Sequence, residues 1–320
     1  MGRDRPAAGI GFAFICLGIL GVMPVISNSR PAAFEALSFA FFLSLWQLLA
    51  SLPLVLRELA SADKGIFDAG LAPALKRRTI TIILLTGAIF GLSTFVYVLA
   101  IENAGAVSAA IAIQAYPLFA ILWETLFLGR RKSALELLFT AILILALGYL
   151  ATGGTWQIAG FSIWFLFALG VPFLWSVAHV VIKEVLDRTP ITPAQVTFFR
   201  VLVSSVFLGA VLAVVSGPGA MLDDLLNGDF QTFAVIMGVV YYLELIFWFY
   251  AVRSIDVSTA SSITVPWPAV TMVLAILFLD EAVEGYQVIT LAVVAASLYG
   301  LLFAGARKRR AKTSPSPAKP

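Results

Sequence analysis

Ten apolar runs, separated by short polar segments, follow one another along the chain. They lie at about 9–28, 34–56, 80–101, 106–128, 134–152, 159–184, 194–216, 230–252, 258–279 and 285–306. A helix needs roughly 20 residues to cross a hydrocarbon core of about 30 Å. The pattern therefore predicts an all-α integral membrane protein with ten transmembrane helices.

The first run has two interpretations, because Arg3 and Arg5 precede it and the small residues 31–33 follow it. That arrangement is also typical of a cleaved signal peptide. The run is longer than the apolar part of most signal peptides, however, and the sixth run is its counterpart. We therefore expect it to remain in the protein as the first span.

Composition favours a membrane protein and argues against several classes of function. Hydrophobic residues make up 61% of the chain and charged residues 12%, which leaves too little polar surface for a water-soluble fold. A single cysteine, Cys16, and a single histidine, His179, argue against a disulfide, a metal site or a catalytic Cys/His pair. No Walker A or Gly-rich dinucleotide motif is present in the sequence. We therefore expect no enzymatic activity, no metal and no cofactor.

The segment around the fourth run occurs again around the ninth run, 151 positions later. The shift superposes identical residues: Ala100 on Ala251, Ala109 on Ala260, Pro117 on Pro268, and Leu126-Phe127-Leu128 on Leu277-Phe278-Leu279. The apolar runs and the polar break between them also fall in register. We interpret this as an internal repeat, with five-helix halves at 9–152 and 159–306.

Basic residues are distributed unevenly across the predicted membrane. Nineteen of the 21 lysines and arginines fall in segments that lie on one side if the chain crosses ten times. The two exceptions are Arg30, in an opposite loop, and Arg200, within a span. This asymmetry predicts that both termini are cytoplasmic and that the protein lies in the inner (plasma) membrane. The basic, Pro/Ser-rich segment 307–320 is expected to be a disordered tail near anionic lipid headgroups, with no nucleic-acid partner.

An odd number of spans in each half means that the second half enters the membrane upside down relative to the first. Inverted repeats permit two nearly equivalent packings, one open to each side, with a binding site between the halves. We therefore predict a secondary transporter that works by alternating access. The alternative is a membrane scaffold or receptor that is built on the same repeats and transports nothing.

Three segments are similar to a known superfamily. They are VSTASSITVPWPAVTMVLAILFLDE at 257–281, its counterpart at 106–130, and FFRVLVSSVFLGAVL at 198–212. Together with ten spans in two inverted halves, they make the chain resemble the EamA-like group of the drug/metabolite transporter (DMT) superfamily, which includes amino-acid exporters of the YddG type. The resemblance implies an exporter with a central cavity lined by spans one, three, four, six, eight and nine.

The eighth run contains a carboxylate among aromatic residues. Tyr241, Glu244 and Trp248 are spaced so that they share one helical face, and the repeat maps Trp248 onto Tyr97 in the third run. A charge inside a bilayer is costly, so Glu244 should face a cavity or a partner. We expect Tyr97, Tyr241 and Glu244 to contact substrate, with Glu244 binding an amine or carrying a coupling proton. The alternative is a structural ion pair between Glu244 and Arg200.

Four further residues are candidates for substrate contact: Gln114, Trp175, His179 and Trp267. The two tryptophans lie deeper than the membrane interfaces that tryptophan usually prefers, and Gln114 supplies a polar group beside the repeated proline. His179 could bind substrate or titrate near neutral pH. A lone histidine close to a helix end is also typical of a packing or interfacial residue, so both interpretations remain open.

Pro117 and Pro268 occupy equivalent places in the fourth and ninth runs. Each lacks a backbone donor, which leaves the carbonyls of Ile113 and Thr264 without their usual helical partner. Within a membrane such carbonyls must be satisfied internally or face a wet cavity. We predict that the two prolines mark hinges beside the site. The alternative is a pair of simple kinks that improve packing.

Few charged residues lie within the spans, and aromatic residues lie between them. This pattern suits an amino acid or a related amphipathic amine or zwitterion better than a phosphorylated sugar. We therefore predict export of a small organic metabolite across the inner membrane, with membrane lipid as the other partner and with proton coupling as an option. The pattern does not indicate an oligomeric state.

Overall fold

The structure, a computed structural model, describes residues 6–31, 33–60, 65–67, 72–128, 132–188, 191–255 and 257–313. These residues form thirteen α-helices and two short 3-10 turns, and they contain no strand. The helices are α1 (Pro6–Asn28), α2 (Ala36–Leu59), α3 (Pro73–Ala104), α4 (Ala106–Ile113), α5 (Tyr116–Leu128), α6 (Ala134–Ala151), α7 (Ile163–Arg188), α8 (Pro193–Val215), α9 (Gly217–Leu226), α10 (Gly228–Ser254), α11 (Val257–Thr264), α12 (Trp267–Leu279) and α13 (Gly285–Thr313). The prediction of an all-α protein is confirmed for this part of the chain.

Nine helical segments among the described residues are long and apolar enough to cross a membrane. The sixth predicted run coincides with α7, which is 26 residues long and contains a shorter apolar stretch at Ile163–Ala178. These lengths support a multi-pass membrane protein. The count of ten spans and the side on which the termini lie stay predictions.

The C-terminal segment begins within a helix. Helix α13 continues through 307–313, and the disordered tail stays a prediction. Alanine, lysine and arginine are strong helix formers, and basic residues at a helix C-terminus interact favourably with the helix dipole. Residues 314–320 lie outside the described part of the chain.

The fourth and ninth predicted spans are each broken into two helices. Helix α4 ends at Ile113 and α5 begins at Tyr116, while α11 ends at Thr264 and α12 begins at Trp267. A shift of 151 positions converts the first pair of bounds into the second. The two breaks therefore fall at equivalent places in the two halves.

Helix packing follows the same equivalence. The shift pairs α1 with α7, α2 with α8, and α3 with α10. Helix α3 packs against α7 as α10 packs against α1, and α3 packs against α8 as α10 packs against α2. Helix α12 likewise contacts α1, as α5 contacts α7. Exchanging the halves reproduces these neighbours, which supports the repeat organisation.

Two equivalent glycines allow the close packing of α3 and α10. A Cβ atom at Gly87 would lie 2.5 Å from the Cβ of Val203 on α8, and a Cβ atom at Gly238 would lie 2.6 Å from the carbonyl oxygen of Leu43 on α2. Small residues of this kind let helix backbones approach closely within a membrane. These contacts hold α3 and α10 in the centre of the bundle, where the candidate site lies.

Candidate functional site

Polar side chains from the second half meet residues of the first half in the interior of the bundle. Arg200 on α8 is 7% exposed, and Tyr241 and Glu244 on α10 are 3% and 9% exposed. They contact or lie beside Cys16 on α1 and Phe90 on α3. We call these five residues the central cluster. It brings ionisable groups into a part of the protein from which lipid and bulk water are excluded.

Glu244 is held by α1. The Cys16 thiol donates to a carboxylate oxygen of Glu244 over 3.4 Å and also lies 3.7 Å from its backbone carbonyl oxygen. A thiol is a weak donor, so it compensates little of the cost of burying a carboxylate. Glu244 is therefore suited to receive a stronger partner, such as a substrate cation or a proton.

Arg200 is held by α3. Its guanidinium carbon lies 3.4 Å from the centre of the Phe90 ring, in a cation–π contact. Arg200 and Glu244 are near enough to interact electrostatically, but a direct ion pair between them is not among the contacts of the described residues. The structural ion pair of Arg200, which the sequence offers as an alternative, stays a prediction; in the structure the guanidinium stacks on an aromatic ring.

The described residues place a close ion pair elsewhere, between Arg30 and Glu102. Arg30 follows α1 and also donates to the carbonyl oxygen of Ser27. Burial lowers the pKa of the Arg30 guanidinium, and the neighbouring Glu102 carboxylate opposes that change. This pair ties α1 to the end of α3 at the face that the charge pattern predicts to be extracytoplasmic.

The predicted aromatic residues form a continuous layer next to the central cluster. The ring centre of Tyr97 lies 6.4 Å from that of Trp175 and 6.4 Å from that of Tyr241. The indole nitrogen of Trp175 donates to the Ser93 hydroxyl over 3.1 Å. Tyr97, Trp175 and Tyr241 are thus brought together as predicted for one site, while their contact with substrate stays a prediction.

The Tyr241 hydroxyl is a buried polar group without a hydrogen bond of normal geometry. It lies towards Thr94 and Arg200, and Thr94 donates its own hydroxyl to the carbonyl oxygen of Phe90. Buried hydroxyls usually have a partner, because an unsatisfied one costs free energy. The Tyr241 hydroxyl is therefore available to a group that enters this layer.

Gln114 and Trp267 belong to the helix breaks. The Gln114 side-chain amide donates to the backbone carbonyl of Val265, which is its equivalent residue, 151 positions later. Trp267 is buried at the first residue of α12, where α12 packs on Gly21 of α1 and the Thr271 hydroxyl donates to the Gly21 carbonyl oxygen over 2.8 Å. The two breaks thus meet each other, and described contacts do not link either residue to Glu244.

Pro117 and Pro268 lie just after the breaks. They occupy the first turns of α5 and α12, where proline is favoured because its missing donor would be unpaired anyway. The chain leaves the α-helical path at residues 114–115 and 265–266, before each proline. Their role as hinges stays a prediction.

His179 lies in α7, but its side chain falls outside the described part of the structure. Its predicted contact with substrate therefore stays a prediction. The preceding turn of α7 carries Trp175, which the structure does place beside Tyr97.

A carboxylate from the second half covers the start of α4. Glu281 accepts hydrogen bonds from the backbone amides of Ala106 and Val107 over 3.1 and 3.2 Å. Gly105 precedes them with φ of 81°, a conformation that glycine adopts readily. Because the amide end of a helix carries partial positive charge, this contact stabilises the packing of the two halves against each other.

An apolar groove lies away from the central cluster, between α6 and α13. It has a volume of about 250 Å³ and is lined by residues that include Tyr149, Trp156, Ile289 and Val293. The lining provides almost no polar groups, so this groove has no means of orienting a polar substrate. It is not a candidate for the site.

Cys16 is the functional candidate that the sequence did not reveal. The resemblance implied that span one lines the site, and Cys16 lies in the middle of that span, which was the available signal. Arg200 also differs from expectation, because it comes from span seven, which the resemblance does not include in the lining. The contacts of Cys16 and Arg200 within the central cluster depend on how α1 and α8 pack.

The sequence of the second half matches a known protein family. Residues 162–303, which make up most of the second half, match the EamA-like transporter family. The chain is thus similar to a family of membrane transporters of the DMT superfamily. No curated protein matches the chain.

A solved crystal structure shares the fold. It superposes with a TM-score of 0.59 at 14% sequence identity, and the match covers 95% of this chain and 99% of that chain. At this identity the likeness extends to the fold alone. Both halves of the chain therefore belong to one known helical architecture, of which the second half also matches a transporter family.

Proposed function

We propose that this protein is a secondary transporter of the DMT type that exports a small organic metabolite across the inner membrane. The observation that carries the proposal is the central cluster, in which Arg200, Tyr241 and Glu244 are buried where helices of both halves meet. Burying ionisable groups in a membrane protein is costly and is typical of substrate and ion pathways. The match of residues 162–303 to a transporter family supports the same conclusion.

The exchange of helix neighbours between the halves supports an alternating-access mechanism. If each half can adopt the packing that the other has, the protein has two arrangements of similar free energy, one open to each side. The contact of Glu281 with the start of α4 joins the two halves at one face. We propose that this contact breaks when the site opens to the outside.

The chemistry of the cluster suggests the class of substrate. Glu244 has only a thiol as its side-chain donor among the described contacts, so an ammonium group would be a stronger partner. The rings of Tyr97, Trp175 and Tyr241 provide a neighbouring apolar surface. We propose that the substrate is an amino acid or a related amphipathic amine, as in amino-acid exporters of the YddG type, and that Glu244 carries a proton when no substrate is bound.

Counterflow in liposomes tests this proposal. Purified protein is reconstituted, and the exchange of labelled amino acids and amines across the vesicle membrane is measured for the wild type and for Glu244→Gln. We expect exchange of at least one compound, and a loss of roughly tenfold or more in the variant, because the ammonium group loses its counter-charge.

Two outcomes would contradict the proposal in different ways. Exchange of no compound in the panel would favour the alternative, a scaffold or receptor without transport. Exchange that is unchanged in Glu244→Gln, in both rate and pH dependence, would remove Glu244 from the mechanism. Asp223→Asn, an equally conservative change at an exposed position of α9, is the matched control and should keep most of the wild-type rate.

A further inference from the structure

We infer that Arg200 and Tyr241 form a binding site for a carboxylate group of the substrate. This inference rests on the proposed function and narrows it, because it requires the transported compound to carry an anionic end as well as an amine. Glu244 would bind the ammonium group and Arg200 the carboxylate. A simple amine would satisfy only one half of the site.

The first observation is that two opposite charges share a buried layer without forming a direct pair. Arg200 is stacked on Phe90, and Glu244 is hydrogen-bonded to Cys16. A pair with only a structural role would gain most by direct contact, because Coulomb attraction increases steeply at short distance in a medium of low dielectric constant. Each charge is instead held in place by a group that neutralises little of it.

The second observation concerns the direction in which Arg200 can still donate. A guanidinium carries five N–H donors in its plane, and its faces carry none. Because Phe90 covers a face, the donors at the edge point away from the ring, and the guanidinium lies beside the Tyr241 hydroxyl. Such an edge matches the two oxygens of a carboxylate, which it can bind through two parallel hydrogen bonds.

The third observation is the Tyr241 hydroxyl. It is fully buried, it has no hydrogen bond of normal geometry, and it lies towards Arg200. A hydroxyl in this place can donate to the same carboxylate that Arg200 binds. The equivalent residue of the first half is Phe90, which has no hydroxyl, so the second half supplies this hydroxyl as well as Arg200.

The positions of the two buried charges are complementary to those of a zwitterion. An anionic end placed at Arg200 and Tyr241, and a cationic end placed at Glu244, would neutralise both buried charges at once. The adjoining rings of Tyr97 and Trp175 leave an apolar surface for the rest of the molecule. The cluster therefore selects for a compound in which a carboxylate and an amine lie close together.

A binding experiment with matched compounds tests the inference. Full-length protein in detergent micelles is titrated by calorimetry with the 20 common amino acids, and then with the decarboxylated amine and the deaminated acid of each amino acid that binds. We expect zwitterions to bind roughly tenfold to a hundredfold more tightly than the matched amines. In Arg200→Gln this preference should disappear, because zwitterion affinity falls while amine affinity stays the same or rises once the neighbouring cation is removed.

Tyr241→Phe is a second, more conservative variant, which tests the same site if Arg200→Gln impairs folding. It removes one oxygen atom, keeps the ring and creates no cavity, and we expect it to weaken zwitterion binding by roughly threefold to tenfold and amine binding by a clearly smaller factor. Retained amine binding and an unchanged elution volume show in both variants that the fold is intact.

Several results would overturn the inference. They are equal affinity of amines and zwitterions in the wild type, an unchanged preference in both variants, and binding of no amino acid at all. None of these results contradicts transport itself, because counterflow of amines would persist. Conversely, zwitterion binding that depends on Arg200, without any counterflow, would support this site and refute the proposed transport.

Discussion

Helices α3 and α10 occupy equivalent places in the two halves, yet they present different groups to the centre. Helix α3 carries Phe90 and Ser93 where α10 carries Tyr241 and Glu244. The equivalent of Arg200 is Leu49, which is 43% exposed on α2 and lies outside the central cluster. The halves therefore share packing but not chemistry.

This difference shows that the backbone packing and the binding groups have to meet different requirements. The backbone arrangement has to be nearly interchangeable between the halves if the site is to open to either side. The binding groups have no such restriction, because a substrate with unlike ends is bound best by unlike partners. The second half supplies the charges, and the first half supplies Phe90 and Cys16, which hold them.

The largest expected effect on substrate affinity comes from removing the charge by which α10 differs from α3. Glu244→Ser gives α10 the residue that α3 has at Ser93, and it should reduce the affinity for an amine-bearing substrate by roughly tenfold or more, because a buried counter-charge is lost. Ser93→Ala removes the acceptor of the Trp175 indole but no charge, so it should change affinity by a smaller factor, about threefold or less. Calorimetric titration of both variants measures the difference, and equal effects would show that the asymmetry has no role in binding.

A second prediction concerns the shared packing. Gly87→Ala and Gly238→Ala should each lower the free energy of unfolding by about 2–3 kcal/mol, because the added Cβ overlaps a neighbouring helix. In Gly87→Ala the nearest atoms belong to the Val203 side chain, so Val203→Gly should restore part of the loss. At Gly238 the obstacle includes the Leu43 carbonyl, which no side-chain substitution removes.

Thermal unfolding in detergent measures these changes. If Val203→Gly fails to restore any stability to Gly87→Ala, the close contact between α3 and α8 is not the cause of the loss. Gly219, which has open space around it, is the matched control. Gly219→Ala should leave the unfolding temperature nearly unchanged.

The smallest expected effect comes from the link between the two helix breaks. Gln114→Leu removes the donor to the Val265 carbonyl and should cost about 1 kcal/mol of stability, as is usual for a hydrogen bond inside a membrane protein. Val265→Leu keeps the backbone carbonyl and serves as the control. Equal unfolding temperatures for the wild type and Gln114→Leu would show that the link contributes nothing.

Much of the helical architecture could be predicted from the sequence. In lipid a backbone must satisfy its own hydrogen bonds, so an apolar run of about 20 residues has little choice but to form a helix. The breaks in the fourth and ninth spans were harder to locate. Pro117 and Pro268 indicated them, but proline is tolerated in a first helical turn, and so the break precedes each proline.

The central cluster could be predicted only in part. Periodicity placed Tyr241 and Glu244 on one face of α10, and both are buried there. Periodicity says nothing about which residues of other helices meet that face. The Cys16 contact and the stacking of Arg200 on Phe90 depend on how α1 and α8 pack, and this is a property of the assembled bundle.

The bond from Gln114 to Val265 has a geometric consequence for movement. Two equivalent residues of a twofold repeat can touch only where they both lie beside the rotation axis. If each half adopts the conformation of the other half, the residues that lie on the rotation axis do not move. In such a rearrangement the helices should therefore move least at the paired breaks, and their displacement should increase with distance from the breaks.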